Sequence, residues 1–343
     1  MSKSKSIESN HSPFIAVITG HGSYAPAKIL SNEELAKIVD TSDEWIRTRT
    51  GIERRHICGE NESTAELATE AAKKALDAAQ LQPEKLDLII IATITPEMVF
   101  PSTACFVQLN LGAHCAWVFD LAAACSGFIY GMSISQQFLE SGRFRNALVI
   151  GAETLTKITN YKDRTSCILF GDGAGAVVLE GRPREKGGPQ SGIIYSTMYS
   201  DGNSWQTLNC QAYGSRNPVS RTLDNPNKVY MEIKGREVYQ QAVRRIVETV
   251  TECLEKCDLT IDDIKMVVSH QMNARIIESA AKRLELPPEK YFININEYGN
   301  TSAASVPLAF DQAIREGRIK RGDIVILVAF GAGLTWGANV IRF

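Results

Sequence analysis

Trp-Val-Phe-Asp-Leu-Ala-Ala-Ala-Cys-Ser-Gly-Phe-Ile-Tyr, residues 117–130, is the stretch on which the reading of this chain turns. Its apolar start, 117–121, reads as a buried strand. Small residues follow, then Cys125, then a helix-compatible pattern to Glu140 that stops at Ser141-Gly142. Cys125 is thereby placed where a strand gives way to a helix. The unpaired N–H groups and positive dipole end of a helix N-terminus favour a thiolate. The alanines and Gly127 leave room for a substrate to reach the sulfur. A small buried core cysteine fits the same residues equally well, because free cysteines are among the most buried side chains.

On the N-terminal side, 14–19 is a short apolar strand running into a turn-rich 20–26. Ser31 and Glu34 form a capping box that opens a helix to Val39. The alanine-rich 63–79 follows a helical period, 86–93 is a continuous apolar strand, and 103–111 is a helix. On the C-terminal side, 147–151 and 177–180 are strands. The glycine cluster Phe-Gly-Asp-Gly-Ala-Gly-Ala (170–176) lacks the following helix that a dinucleotide fingerprint requires. Residues 181–229, rich in Gly, Pro, Asn and Ser, predict a connecting excursion.

The remainder repeats the first half. It predicts helix 235–256, strand 264–269, helix 275–284, strand 291–296, helix 302–316 and strand 324–330. Gly142 and Arg143 lie as far past Cys125 as Gly317 and Arg318 lie past Asn300, which makes Cys125 and Asn300 equivalent strand-to-helix junctions. Alternating strands and helices imply right-handed crossovers. The expected fold is α/β, two duplicated β-α halves with mainly parallel mixed sheets around buried helices. The junctions then lie close together across a pseudo-two-fold. The expected division is a mobile leader 1–13, an N-terminal half 14–180, the connection 181–229 and a C-terminal half 230–343.

Bulk properties narrow the function. Of 343 residues, 44% are hydrophobic and 22% charged, as in soluble globular proteins. A net charge of −2 argues against a nucleic-acid role, though it leaves room for a local basic patch. There is no apolar run of the ~18 residues a membrane span needs. Residues 1–13 lack the apolar core of a signal peptide. The eight cysteines are scattered without paired zinc-binding spacing, and reduced thiols in the cytoplasm, with no metal, are expected.

Two further polar groups fall at strand ends. His270 stands in Ser-His-Gln-Met-Asn (269–273) and Asn300 in Glu-Tyr-Gly-Asn-Thr-Ser-Ala-Ala-Ser (297–305). A third strand end, 329–337, is glycine-rich and suited to presenting a backbone N–H. A histidine after a strand is more often structural, and a Gly-Asn pair more often a turn. Three such residues at equivalent ends of a duplicated fold are harder to dismiss, because ligands bind outside the carboxyl ends of parallel strands.

With these motifs in order, the chain resembles the β-ketoacyl-[acyl-carrier-protein] synthase III family of the thiolase-like superfamily, over about residues 16–343. The matching stretches are 41–46 with 48–52, 122–127, 170–176, 270–273, 299–307 and 333–337. The resemblance implies a five-layer αβαβα fold and a catalytic triad of Cys125, His270 and Asn300. Cys125 accepts the acyl group of an acyl-CoA, and His270 and Asn300 stabilise the enolate left when malonyl-acyl-carrier protein loses CO₂. Backbone N–H groups of Cys125 and Ala332 form the oxyanion hole. The family often has glycine at 332, and alanine is compatible unless a positive φ is needed there. Elongating condensing enzymes carry histidine where Asn300 stands, and degradative thiolases a second cysteine in the late glycine loop, absent here.

The resemblance further implies that Trp45 and Arg164 sandwich the adenine of CoA, Arg49 meets its phosphates and Asn273 its pantetheine arm. The role of Arg236 stays open. Phe330 falls in the acyl pocket, which Phe100 of the neighbouring subunit caps; its bulk suggests a short primer such as acetyl. Arg275, Lys282 and Arg283 lie on one side of a helix and imply a docking patch for the acidic carrier protein, or an ordinary solvated face. The expected protein is a cytoplasmic homodimer with no permanently bound cofactor that initiates fatty-acid synthesis. Its rivals are a synthase-III-like acyltransferase of a specialised pathway and a catalytically idle paralogue that binds acyl carriers.

Overall fold

The computed structural model describes residues 12–185 and 190–343. The expected leader therefore falls almost wholly outside the described residues. Its last two, Ser12 and Pro13, are held: Ser12 Oγ donates to Glu140 O, and Arg184 N donates to Pro13 O at 2.8 Å.

The first sheet is built from β1 (Phe14–Tyr24), β2 (Leu88–Ala92), β3 (Trp117–Leu121), β4 (Asn146–Thr154) and β5 (Asp172–Pro183). They run in the order β1-β5-β4-β2-β3. The second contains β6 (Gly192–Ser200), β7 (Met266–Ser269), β8 (Ile324–Gly331) and β9 (Thr335–Arg342), in the order β7-β8-β9-β6. Both sheets are mixed. Pairing is parallel at β2–β3, β2–β4 and β7–β8, where helical crossovers intervene. It is antiparallel at β4–β5, β5–β1, β8–β9 and β9–β6.

Seven main helices cover these sheets: α1 (Asp43–Thr50), α2 (Thr64–Ala79), α3 (Thr103–Leu111), α4 (Gly127–Glu140), α5 (Gly235–Cys257), α6 (Ala274–Arg283) and α7 (Ser305–Arg315). Helices α4 and α7 touch strands of both sheets, α2 packs on the outside of the first and α5 on the outside of the second. That is five layers, αβαβα. Sequence pattern explains them. Leu88 and Ile90 face the central core with Phe128, Met132, Val306 and Phe310, whereas Ile89 and Ile91 face outward onto Ala68, Ala71 and Ala75 of α2. Strands buried on both faces read as unbroken apolar runs, so β2 was legible. Helix α4 is buried on most of its surface, including Ser133, Ser135, Gln136 and Glu140, because it is covered on both sides.

Several expectations need correcting. The strand at 117–121 is not buried: β3 is the edge of its sheet and Trp117 is 52% exposed. The connection 181–229 contains β6, an integral strand of the second sheet. Strand β9 was not expected at all, and the expected strand at 291–296 is a single bridge, Tyr291 with Val267, before the one-turn helix Ile295–Tyr298. The turn-rich 20–26 extends β1 to Tyr24, and the capping box at Ser31 opens only the four-residue helix Asn32–Leu35. The glycine cluster lies largely inside β5. A Cβ on Gly175 would stand 2.7 Å from Leu308 N, so the cluster is the price of a helix laid directly on the strand.

The register of the duplication also changes. Ala124 (φ 45°) and Ser302 (φ 48°) occupy the same left-handed step before α4 and α7. Cys125 is therefore equivalent to Ala303, not Asn300. Matching backwards from Gly142 and Gly317 misses this because α4 has 14 residues and α7 only 11.

Candidate active site

Cys125, His270, Asn300, Asn273, Phe330 and Ala332 line one cavity of about 800 Å³. Cys125 is the middle residue of the turn Ala124–Ser126 that precedes α4. The turn is tied to the start of β9: Ser126 Oγ donates to Thr335 O at 2.9 Å, and Thr335 Oγ1 donates to Ala123 O at 3.0 Å. Gly331, the last residue of β8, lies against it; a Cβ there would stand 2.7 Å from Cys125 N. The backbones of residues 125 and 331–332 are thus in close approach at the sulfur. Ala332 has no positive φ, so alanine in place of the family's glycine leaves that backbone unstrained.

The resting thiol differs from the expectation drawn from the helix N-terminus. Burial pushes the Cys125 thiol up to about 12, opposed only in part by the Ser302 hydroxyl. Desolvation outweighs the dipole because the sulfur is almost wholly removed from water. Cys125 rests protonated.

His270 follows β7, its N–H donating to Val328 O at 2.8 Å. Its Nδ1 lies 2.5 Å from Ser305 Oγ, on the first residue of α7, and Gln271 N donates to the same hydroxyl at 3.3 Å. With Gln271 N on one lone pair of Ser305, a hydroxyl that donates to Nδ1 leaves the ring's own proton on Nε2. Burial lowers the basicity of His270 to about 3, so the imidazole is neutral. Asn300 is held at its backbone by Leu169 O (2.8 Å) and Gly171 N (3.1 Å), and its Oδ1 accepts from Ser302 N at 2.9 Å. That bond orients the side chain and leaves the amide NH₂ to donate. The site therefore offers a thiol and two neutral N–H donors.

The other expected residues separate into groups. Trp45 and Arg49 sit one turn apart on α1, which Ser42 caps by accepting from Trp45 N at 3.2 Å and Gly51 ends in the left-handed region. The guanidinium carbons of Arg49 and Arg164 each lie 4.4 Å from the Trp45 ring centroid. Arg164 stacks directly on Trp45. A planar base needs contact distances of about 3.5 Å on each face, so Arg164 must swing out to admit one. Asn273 caps α6, accepting from Arg275 N at 2.9 Å, and donates to Arg49 O at 3.0 Å, which links α1 to the cavity wall. Phe330 is buried in the lining. Phe100 does not enter the cavity of its own chain and is 82% exposed; Met98 and Val99 line it instead. Arg275, Lys282 and Arg283 are exposed on α6 with no ion-pair partner among the described residues, and Arg236 is exposed at the start of α5.

Sequence reasoning missed Ser305, Ser302 and Glu153. The two serines lay inside a quoted motif without a role, and Glu153 continues an apolar strand in which a carboxylate is out of place. Among the described residues no cluster of three or more His, Cys, Asp or Glu could hold a metal ion, and no helix is long and apolar enough to cross a membrane.

Two stacked, duplicated β-α halves with a cysteine at the first buried helix define a protein of the thiolase-like class. Residues 119–202 match the family model 3-oxoacyl-[acyl-carrier-protein (ACP)] synthase III, and residues 254–343 match its C-terminal model. The chain is 55% identical over 328 residues to the β-ketoacyl-[acyl-carrier-protein] synthase III of Caldanaerobacter subterraneus subsp. tengcongensis, covering 96% of this chain and 98% of that protein. Identity to the Clostridioides difficile protein of the same name is 50% over 330 residues, with coverage of 96% and 98%. The crystal structure of 3-oxoacyl-[acyl-carrier-protein] synthase III from Aquifex aeolicus superposes with a TM-score of 0.87 at 47% identity, covering 96% of this chain and 100% of that one. The chain belongs to the β-ketoacyl-[acyl-carrier-protein] synthase III family.

Proposed function

We propose that this protein condenses an acyl-CoA primer, acetyl-CoA, with malonyl-acyl-carrier protein to give a 3-ketoacyl product, the step that initiates fatty-acid synthesis. The observation that carries this reading is the meeting of a buried thiol, a neutral imidazole and a side-chain amide, those of Cys125, His270 and Asn300, in one cavity.

Cys125 Sγ bonds to the thioester carbonyl carbon and loses its proton as it does so, because burial disfavours a standing thiolate. The C–S bond to CoA breaks and CoA leaves as a thiol, giving acyl-Cys125. Trp45, Arg164 and Arg49 hold the nucleotide end, and Asn273 meets the pantetheine arm. The malonyl carrier then enters and its C–CO₂ bond breaks. His270 and Asn300 donate to the enolate oxygen, and neutrality suits them, because each keeps its proton while stabilising the charge. The enolate carbon attacks the acyl carbonyl, whose oxygen is held by the N–H groups of Cys125 and Ala332, and the sulfur departs. No resident cofactor takes part.

The exposed edge strand β3 and the exposed Val99 and Phe100 favour a homodimer in which Phe100 caps the partner's acyl pocket and shortens it. The cations Arg275, Lys282 and Arg283, without an ion-pair partner among the described residues, favour docking of an acidic carrier protein. Free thiols at all eight cysteines suit the cytoplasm. Intact-protein mass spectrometry after mixing with acyl-CoAs and then malonyl-acyl-carrier protein tests the reading. An acetyl adduct on Cys125 that the malonyl carrier discharges supports it. Labelling only by longer or branched chains overturns the acetyl primer, and no labelling overturns acyl transfer.

A further inference from the structure

Glu153, the penultimate residue of β4, has no exposed surface. The loop after β2 holds its carboxylate. Thr93 Oγ1 (3.2 Å), Ile94 N (3.1 Å), Thr95 N (3.2 Å) and Thr95 Oγ1 (2.6 Å) all donate to Oε2, whereas Oε1 accepts from Ile94 N at 3.3 Å. Ser302 stands between this carboxylate and the cavity. It lines the cavity together with Cys125, and its turn packs against both β4 and the Cys125 turn. The hydroxyl is fully buried, yet it makes no hydrogen bond of full geometry among the described residues. A buried, unbonded hydroxyl is costly, and it is retained here in a left-handed turn beside the nucleophile.

We propose that Glu153 accepts the Cys125 proton through the Ser302 hydroxyl during acylation, a role that rests on the acyl-transfer reading above. The S–H bond of Cys125 breaks as sulfur bonds to the thioester carbon. Ser302 Oγ takes that proton and passes its own to a Glu153 oxygen. When the C–S bond to CoA breaks, the proton returns along the relay to the departing sulfur, so Glu153 ends as a carboxylate and CoA as a thiol. Burial raises the Glu153 carboxyl to about 7, which lets it hold a proton at neutral pH. Its hydrogen-bond partners are hydroxyls and backbone N–H groups of the loop after β2, and Cys125 is the titratable group whose charge couples to it. His270 belongs to a separate pair with Ser305.

Alkylation of Cys125 by iodoacetamide tests the relay without any acyl substrate, followed on the Cys125 peptide by mass spectrometry across pH. The native rate is expected to rise through an inflection near 7 as Glu153 ionises. Glu153→Gln is expected to lose the inflection, and self-acylation by acetyl-CoA to fall about 10²-fold. Ser302→Ala leaves the loop contacts of Glu153 intact and is expected to show the same losses, so it serves if Glu153→Gln does not fold. A carboxylate that merely repels a thiolate predicts the opposite, faster alkylation in Glu153→Gln; that result, or an inflection retained in Ser302→Ala, overturns the relay. An inflection in a native protein that no acyl-CoA labels instead overturns the acyl-transfer reading alone.

Discussion

Replacing Gly331 by alanine perturbs the oxyanion hole through space alone. Gly331 has no positive φ, so the backbone accepts alanine. The added Cβ lies 2.7 Å from Cys125 N and 3.1 Å from both Cys125 Cβ and Ser126 N. Ordinary contact begins near 3.4 Å, so Cys125 N must retreat by about 0.7 Å. Thr335 braces the turn at both ends, through Ser126 Oγ and Ala123 O, so the N–H and the sulfur move together. A displacement approaching 1 Å, or the loss of one oxyanion donor, costs on the order of 10²-fold in rate. Overpacking adds a stability loss of ~1–3 kcal/mol. Rapid-quench mass spectrometry of Cys125 acylation gives the rate and a thermal melt gives the strain. A lowered Tm with an unchanged acylation rate would refute the claim that this backbone contact sets the hole.

Asn300→Ala is expected to spare self-acylation while reducing decarboxylation of the malonyl carrier by ~10²–10³-fold; equal loss of both half-reactions, measured separately, contradicts its role as enolate donor. Ser305→Ala frees Nδ1 of His270 to take the ring proton, which removes the Nε2 donor. Decarboxylation is expected to fall by ~10²-fold with acylation preserved, and an unchanged decarboxylation rate would show that the hydroxyl does not set the tautomer. Because burial holds His270 at about 3, the imidazole stays neutral at every pH above that value. The decarboxylation rate should then show no limb from imidazole protonation between mildly acid and neutral pH, and a limb abolished by His270→Gln counts against this. Reversing charge with Lys282→Glu and Arg283→Glu is expected to raise the KM for the carrier protein and leave that for acyl-CoA nearly unchanged; an unchanged carrier KM makes α6 an ordinary solvated face.

What the sequence determined by itself was whatever depends on near neighbours. The apolar run of β2, the bounds of α3 and the period of α2 and α5 follow from local propensity and patterning. The motifs around Cys125, His270 and Asn300 marked the residues that the fold gathers in one cavity. Tertiary structure decided what depends on distant partners. Strand β6 hides in a stretch with turn-like composition, and β9 in a glycine-rich one, because pairing of β9 along β8 and of β6 along β9 supplies the order that propensity lacks. The Cys125–Asn300 equivalence failed because helix length, invisible to an offset, differs between the halves. The protonation of Cys125 reversed its local expectation because burial is a property of the assembled fold. Ser305 reaches His270 across 35 residues of chain, and Ser302 lines the cavity with Cys125 from the other half. Such contacts leave no periodicity to read; only packing the two halves face to face creates them.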